Sequence, residues 1–304
     1  MLELLTKKVL VTGHNGFLGT NLLPELEKKF QVIGVSNTLR KDTKISQIKK
    51  NIQKIKIGDI PKNISCIIHL AALTDLDFCQ KNPTKCFEVN IQGTMNMLEI
   101  SKKLNAKFIF LSTSHVFGVP KKLPISENHP RVPSSVYSAS KITGEVICEL
   151  YAKLYRMDIS IIRLFSVYGP HSSPHLVTNK IINQLIHNKK LHLGNLTPQR
   201  DFIFVNDAVN AILLSIKKCS GLQIFNVGTG TATSISQLCK KIEKISKKKI
   251  NLEVKKSLKR QNEIKKIYAN SNKIKKLGWK SETNLHDGLK QTYNWYLSKL
   301  KKQL

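Results

Sequence analysis

Val9-Leu-Val-Thr-Gly13-His-Asn-Gly16-Phe17-Leu18-Gly19 sets an apolar, β-branched run directly before three glycines spaced G-x-x-G-x-x-G. An apolar strand, a glycine turn and then a helix form the opening of a βαβ unit. The glycines let backbone approach a pyrophosphate, whose charge rests against the free N–H groups of the helix start. Gly13, Gly16, Phe17, Leu18 and Gly19 are therefore candidate dinucleotide ligands. The rest of the first half keeps this rhythm. Strands are expected at Val9–Thr12, Gln31–Val35, Lys54–Ile57, Cys66–Leu70, Phe108–Leu111 and Ile159–Leu164, with helices at Phe17–Lys29, Pro83–Leu104 and Ser138–Tyr155. Largely apolar strands alternating with amphipathic helices predict a parallel sheet covered on both faces, an α/β, Rossmann-like doubly wound fold.

The rhythm weakens after Gly169-Pro170. Helices are expected at Leu176–Asn188, Asn206–Lys217, Ser234–Ile245 and Leu285–Leu300, with short strands near Leu191, Phe202 and Ile224. The reading is a dinucleotide-binding domain over residues 1–169 and a smaller α/β substrate lobe over residues 170–304, some of whose segments return to the sheet.

Bulk properties exclude several classes. A chain of 304 residues supports a sizeable core without staples. No apolar run reaches the roughly 18 residues of a membrane span, and the first strand starts too near Met1 for a secretory signal, so a cytoplasmic protein is expected. The six cysteines lack metal or redox spacing and read as buried thiols, so no metal is expected. The net charge of +30 comes almost wholly from lysine, with arginine only at 40, 131, 156, 163, 200 and 260. Such charge reads as a solvated surface rather than as specific nucleic-acid recognition, which favours arginine clustered with aromatics.

Tyr137-Ser-Ala-Ser-Lys141 puts a phenol and an ammonium four residues apart on one helix face. With Thr113 at the end of an apolar strand, it forms a hydroxyl, phenol and lysine triad suited to proton transfer beside a dinucleotide. A free phenol titrates near 10, so a basic role near neutrality requires lowering that value by about three pH units, or about 4 kcal/mol. One exposed ion pair supplies about 1 kcal/mol at most, so Lys141 must act in a partly dry cleft. The second strand ends in Val35-Ser36-Asn37 with Arg40 and Lys41 nearby, where NAD binders place a carboxylate on the adenosine ribose. The missing acid makes Ser36 and Arg40 candidate ligands of a 2′-phosphate and tips the expectation from NAD toward NADP.

These motifs, with Gly58-Asp59-Ile60, His69-Leu70-Ala71-Ala72, Asn90-Ile-Gln-Gly-Thr94, Arg163-Leu-Phe165-Ser166-Val-Tyr-Gly-Pro170, Arg200-Asp201, Phe225-Asn-Val-Gly228 and Leu277-Gly-Trp279, run in order along nearly the whole chain. The sequence resembles the extended short-chain dehydrogenase/reductase family, in its nucleotide-sugar epimerase, dehydratase and ketoreductase group. That resemblance implies adenine contacts from Asp59 and Ile60, and ribose and diphosphate contacts from Leu70, Ala71 and Ala72. It also implies Asn90 and Phe165 near the nicotinamide, Thr74 and Ser166 along the substrate, and Arg200 and Arg260 on its diphosphate.

Members that dehydrate the sugar usually carry Asp-Glu after the Ser-Thr pair, where this chain has Ser114-His115. Dehydration is accordingly disfavoured. The resemblance implies hydride transfer between NAD(P) and carbon 4 of a nucleotide-linked hexose, first as a 4-epimerase and second as an NADPH-dependent 4-keto-6-deoxyhexose reductase. A non-catalytic NAD(P)- or RNA-binding protein is the reading from another class. A homodimer through the helices around Pro83–Leu104 and Ser138–Tyr155 is also implied.

Overall fold

The computed structural model describes residues 7–187, 190–218, 220–258 and 263–301. The chain divides into two compact units. The first holds Met1–Gly118, Pro130–Leu164 and Val209–Phe225, and the second holds Val119–His129, Phe165–Ala208 and Asn226–Leu304.

The first unit is built on strands β1 (Lys8–Thr12), β2 (Gln31–Ser36), β3 (Ser46–Lys49), β4 (Ile64–His69), β5 (Lys107–Thr113) and β6 (Ile159–Leu164). They lie in the order β3-β2-β1-β4-β5-β6, with the strand Leu222–Val227 completing a seven-stranded sheet beyond β6. Every neighbouring pair from β3 to β6 is parallel. The order reverses between β1 and β4, which opens a crevice at their carboxyl ends, where doubly wound sheets take ligands.

The middle strands are buried almost throughout, with β6 buried at all of its positions. Leu10, Ile67, Phe108, Phe110 and Ile161 share one core with Met97, Leu98 and Cys148 from the covering helices. Each such side chain contributes roughly 1.5–3 kcal/mol by leaving water.

The helices of this unit are α1 (Phe17–Glu27), α2 (Leu76–Lys81), α3 (Pro83–Phe87), α4 (Gly93–Lys103) and α5 (Val136–Tyr155). Helix α5 starts at Ser135, whose hydroxyl accepts from the Ser138 N–H while Ser138 accepts from the Ser135 N–H. This reciprocal cap fixes the first turn, and therefore Tyr137. The helix lies close on the sheet because Gly144 faces Phe110: a Cβ there would come within 2.6 Å of the ring.

Two expectations from the sequence are corrected. Lys54–Ile57 is not a strand; Ile52 and Ile55 reach the core from turns, and Ile57–Asp59 forms a 3-10 turn. The strand in this region is Ser46–Lys49, a polar edge that pairs, among the described residues, only with β2. The helix expected over Pro83–Leu104 is interrupted by a π-helical turn, Glu88–Gln92, between α3 and α4. Such turns re-aim one side chain within a helix, here Asn90.

In the second unit, Ser166–Tyr168 pairs in parallel with Phe202–Phe204, and Gln199–Arg200 lies between Thr233–Ser234 and Lys266–Ile267. Helices Val177–Ile186, Ile235–Ser246 and Leu285–Lys301 flank these small sheets.

Candidate active site

The glycine turn sits at the carboxyl end of β1. Gly13 has φ +69°, and its N–H donates to the Val35 carbonyl at 2.8 Å. A Cβ on Gly13 would lie 2.8 Å from the backbone of Ala71, and one on Gly19 would lie within 2.6 Å of the backbone of His14. Backbone occupies both spaces, so side chains are excluded by geometry.

No side-chain oxygen caps the start of α1, and its first turn holds no acidic residue. Its free N–H groups are thus left for an anion, and the cradle fits the diphosphate of a dinucleotide. Phe17 and Leu18 are half-buried in that first turn.

The floor between β1 and β4 is a buried polar chain. The Ala71 N–H donates to Thr12 Oγ1 at 3.2 Å, Thr12 Oγ1 lies 2.8 Å from His69 Nδ1, and His69 Nε2 lies 3.1 Å from Thr94 Oγ1. Because Thr94 donates its own proton to the Asn90 carbonyl, the His69 proton resides on Nε2. Burial, with the charge of Lys141 second, pushes the His69 imidazole down to about 3, so it stays neutral. Leu70, Ala71 and Ala72 follow, half-buried, and Thr74 is exposed.

Asn90 is fully engaged. It accepts from the Leu73 N–H at 2.8 Å and donates to the Leu73 carbonyl at 2.9 Å and to Ser140 Oγ at 2.9 Å. It ties the segment after β4 to helix α5, so its amide organises the neighbourhood of Tyr137.

Thr113 ends β5, while Tyr137 and Lys141 occupy the first turns of α5. All three are buried. Thr113 Oγ1 accepts from the His115 N–H at 3.2 Å. Burial raises the Tyr137 phenol above its ordinary value, and the Thr113 hydroxyl opposes that rise. Burial lowers the Lys141 ammonium to about 8, against which nearby Cys148, Glu145 and Cys86 act in turn. The ammonium lies 4.0 Å above the Phe110 ring. Near neutral pH the chain alone thus carries a protonated phenol and a charged lysine one helical turn apart. Cys79 and Cys86 pack against Tyr137, and burial pushes the Cys79 thiol up to about 12, leaving it inert. The His115 ring stands edge-on to Tyr137, with centroids 6.0 Å apart.

At the end of β2, Ser36 is half-buried, but Arg40 does not stand free. Its guanidinium grips Asp42 through Nε at 2.6 Å and Nη2 at 2.9 Å. The carboxylate absent from positions 36 and 37 is supplied to Arg40 from Asp42. Asp59 accepts from Lys50 and from the Lys56 N–H, and Ile60 is buried in the core.

In the second unit, the Phe165 N–H donates to the Val227 carbonyl at 3.0 Å and the Ser166 N–H to the Asp201 carbonyl at 2.9 Å. Arg200 donates to the carbonyls of Gln199 at 3.0 Å and Ile264 at 2.7 Å. Buried Asp201 accepts from Thr229 N–H and hydroxyl, the Gly230 N–H and the Ala269 N–H. Arg260 lies outside the described residues.

Sequence reasoning passed over Glu145. It lies fully buried beneath the triad, two turns along α5 from Tyr137. The signal was present: Tyr137, Lys141 and Glu145 fall at i, i+4 and i+8 on one helix face.

The chain is similar to known proteins over nearly its whole length. The profile of the GDP-mannose 4,6 dehydratase family matches residues 10–292. A putative UDP-glucose 4-epimerase of Methanocaldococcus jannaschii is 32% identical over 94% of this chain and 97% of its own length. A human dTDP-D-glucose 4,6-dehydratase is 29% identical over 95% of this chain and 90% of its own. The structure of UDP-glucuronic acid 4-epimerase from Bacillus cereus, in complex with UDP-glucuronic acid and NAD, superposes with a TM-score of 0.89 at 28% identity, covering 96% of this chain and 99% of that one. With its glycine turn, switch-point crevice and threonine, tyrosine and lysine triad, the chain belongs to the GDP-mannose 4,6 dehydratase family, within the extended short-chain dehydrogenase/reductases.

Proposed function

We propose that this enzyme inverts the configuration at carbon 4 of a UDP-linked hexose, using a bound nicotinamide dinucleotide. The observation that carries the proposal is the buried set of Thr113 at the end of β5 with Tyr137 and, one turn farther along α5, Lys141. A bound nicotinamide would supply reversible hydride acceptance at carbon 4, with return to the opposite face of the sugar. With the positive charge of an oxidised nicotinamide added to that of Lys141, Tyr137 would ionise and take the proton of the 4-hydroxyl, and it would return that proton when the sugar is reduced again. Thr113 holds the same oxygen, and the Lys141 charge stabilises the phenolate.

Gly13, Gly16, Phe17, Leu18 and Gly19 are assigned to the dinucleotide diphosphate, and Leu70 to Ala72 to its ribose and diphosphate. Asp59 is assigned to its adenine side. Phe165 is assigned to the nicotinamide, and Thr74, Ser166, Arg200 and Arg260 to the sugar nucleotide. Asn90 and Ile60 are assigned to support, because one amide is saturated by protein partners and the other side chain lies in the core.

For the dinucleotide itself, Ser36 and Asn37 in place of an acid favour NADP, whereas the Asp42 carboxylate on Arg40 offsets the cation that a 2′-phosphate needs. We therefore take NAD as the working cofactor and NADP as an accepted second.

A second reading is a one-way 4-ketoreductase. It draws support from the phenol that burial keeps protonated, ready to donate to a 4-keto oxygen. Assays with UDP-glucose, UDP-glucuronate and UDP-N-acetylglucosamine, and with a nucleotide-linked 4-keto-6-deoxyhexose plus NADPH, separate the two. An epimerase interconverts gluco and galacto sugars without net turnover of cofactor, whereas a reductase consumes NADPH in proportion to product. Tyr137→Phe should abolish turnover and leave dinucleotide affinity within a few fold; unchanged turnover in that variant removes the mechanism.

We also propose a homodimer. Helix α5 presents Val146, Leu150 and Leu154 at 47%, 49% and 59% exposure, and α4 adds Met95 at 44%. Such a row at i, i+4 and i+8 is the apolar stripe of a helix left uncovered by the described residues of its own chain.

A further inference from the structure

The carboxylate of Glu145 is wholly buried and accepts from every side. Ser112 Oγ and Arg163 Nε donate to Oε1, at 2.5 and 2.9 Å, while Arg163 Nη2 and Arg131 Nη1 donate to Oε2, at 2.7 and 3.1 Å. Arg131 also grips Glu149 at 2.7 and 3.2 Å. Two carboxylates thus balance two guanidiniums, and Arg163 additionally stacks over Phe117, 5.1 Å from its centroid.

Ser112 and Arg163 are direct partners in the β5–β6 register, so they project side by side toward α5. Ser112 immediately precedes Thr113. Glu145 lies one helical turn beyond Lys141 and two beyond Tyr137. The same carboxylate therefore bonds to the strand that ends in the threonine and belongs to the helix that carries the phenol and the ammonium.

We propose that Glu145 is a positioning residue: it locks the helix bearing Tyr137 and Lys141 to the strand bearing Thr113, and it sets the charge under Lys141. A solely structural ion pair has no need to reach Ser112, and an apolar replacement of similar volume often stabilises a fold as well. What the cluster adds is register. Two hydroxyls must meet one substrate oxygen, and displacements of about 1 Å at such a constellation cost up to about a hundredfold in rate. The inference rests on the carbon 4 chemistry proposed above.

Lys141 reports the electrostatic half of the proposal. Groups facing it are Glu145 and Cys148 from its own helix, Cys86 from α3, the neutral His69 from β4 and the Phe110 ring from β5. Glu145 is the carboxylate among them, so neutralising it removes the anion that supports the ammonium.

The test uses the full-length protein. In the substrate-free state, the Lys141 ammonium is titrated by its side-chain 15N resonance, assigned by its loss in Lys141→Met. Glu145→Gln should lower that titration by roughly 0.5–1 pH unit, and Arg131→Met, at the rim, should raise it. Ser112→Ala leaves the charges in place and cuts only the bond to β5. In the enzyme assay it should lower kcat about tenfold, with KM within about twofold of the parent.

An unchanged Lys141 titration in the charge variants, or a parental kcat in Ser112→Ala, overturns the proposal. If Glu145→Gln does not fold, Arg131→Met and Ser112→Ala decide it. A parent protein inactive on every sugar nucleotide would instead refute the carbon 4 reading, while the 15N titration would still test the electrostatic lock.

Discussion

Lys141→Met should make this protein more stable at neutral pH while destroying its activity. The folded lysine gives up its proton at about 8, against 10.5 for the ordinary side chain, chiefly because it is buried. Unfolding therefore takes up a proton between those two pH values, and parental stability rises with pH across that window. Below about pH 8 the folded state bears the full penalty, which at about 1.4 kcal/mol per pH unit is at most about 3.5 kcal/mol. The ammonium recovers part of this from the Phe110 ring, 4.0 Å away, a contact worth about 0.5–2 kcal/mol. Methionine keeps the apolar stem and discards the charge, so the net gain at pH 7 should be about 1–3 kcal/mol. Urea melts of both proteins at pH 6, 7, 9 and 10.5 measure it. The gap in unfolding free energy should be widest at pH 6 to 7 and close toward pH 10.5. A variant no more stable than the parent at pH 7, or a gap that ignores pH, would refute the idea that this charge is held against its own burial.

The Arg40–Asp42 pair is exposed, with Asp42 at 72%, so its release should shift cofactor choice only modestly. Asp42→Asn should tighten NADP binding about threefold relative to NAD, read by fluorescence titration of the reduced dinucleotides, and an unaltered ratio would place Arg40 away from the 2′ position. Leu150→Glu puts a charge in the middle of the exposed stripe on α5, where it should halve the mass in light scattering at micromolar concentration; an unchanged mass would exclude that face as the interface.

What the sequence disclosed and what it hid follow from how far apart the cooperating residues lie. The glycine turn and the Tyr137 and Lys141 pair were legible because each is complete within a few residues and follows from backbone sterics or helix spacing. The buried strands were legible for a related reason: their cores are runs of Val, Ile and Phe that fit only a sheet covered on both faces. Ser46–Lys49 was not, since an edge strand pairs on one side only and its exposed residues can be polar; the more apolar Lys54–Ile57 drew the assignment although Ile55 enters the core without pairing.

The π-helical turn at Asn90 was hidden too, because its cause lies elsewhere. An amide that must satisfy both polar groups of Leu73 and the Ser140 hydroxyl selects its own direction, and the helix yields to it. Arg40 could be recognised as a cation but not as a paired one.

Glu145 marks the boundary between these cases. Its spacing from Tyr137 and Lys141 is written in one helix, but a carboxylate buried on that face among Tyr137, Lys141, Gly144 and Cys148 needs hydrogen-bonding compensation from outside the helix as well. That compensation comes from Ser112 and Arg163, 33 and 18 residues away, brought together by the β5–β6 register. A second charge on the face that carries Lys141 was thus the readable clue, and its partners came from the two strands that the helix covers and from Arg131.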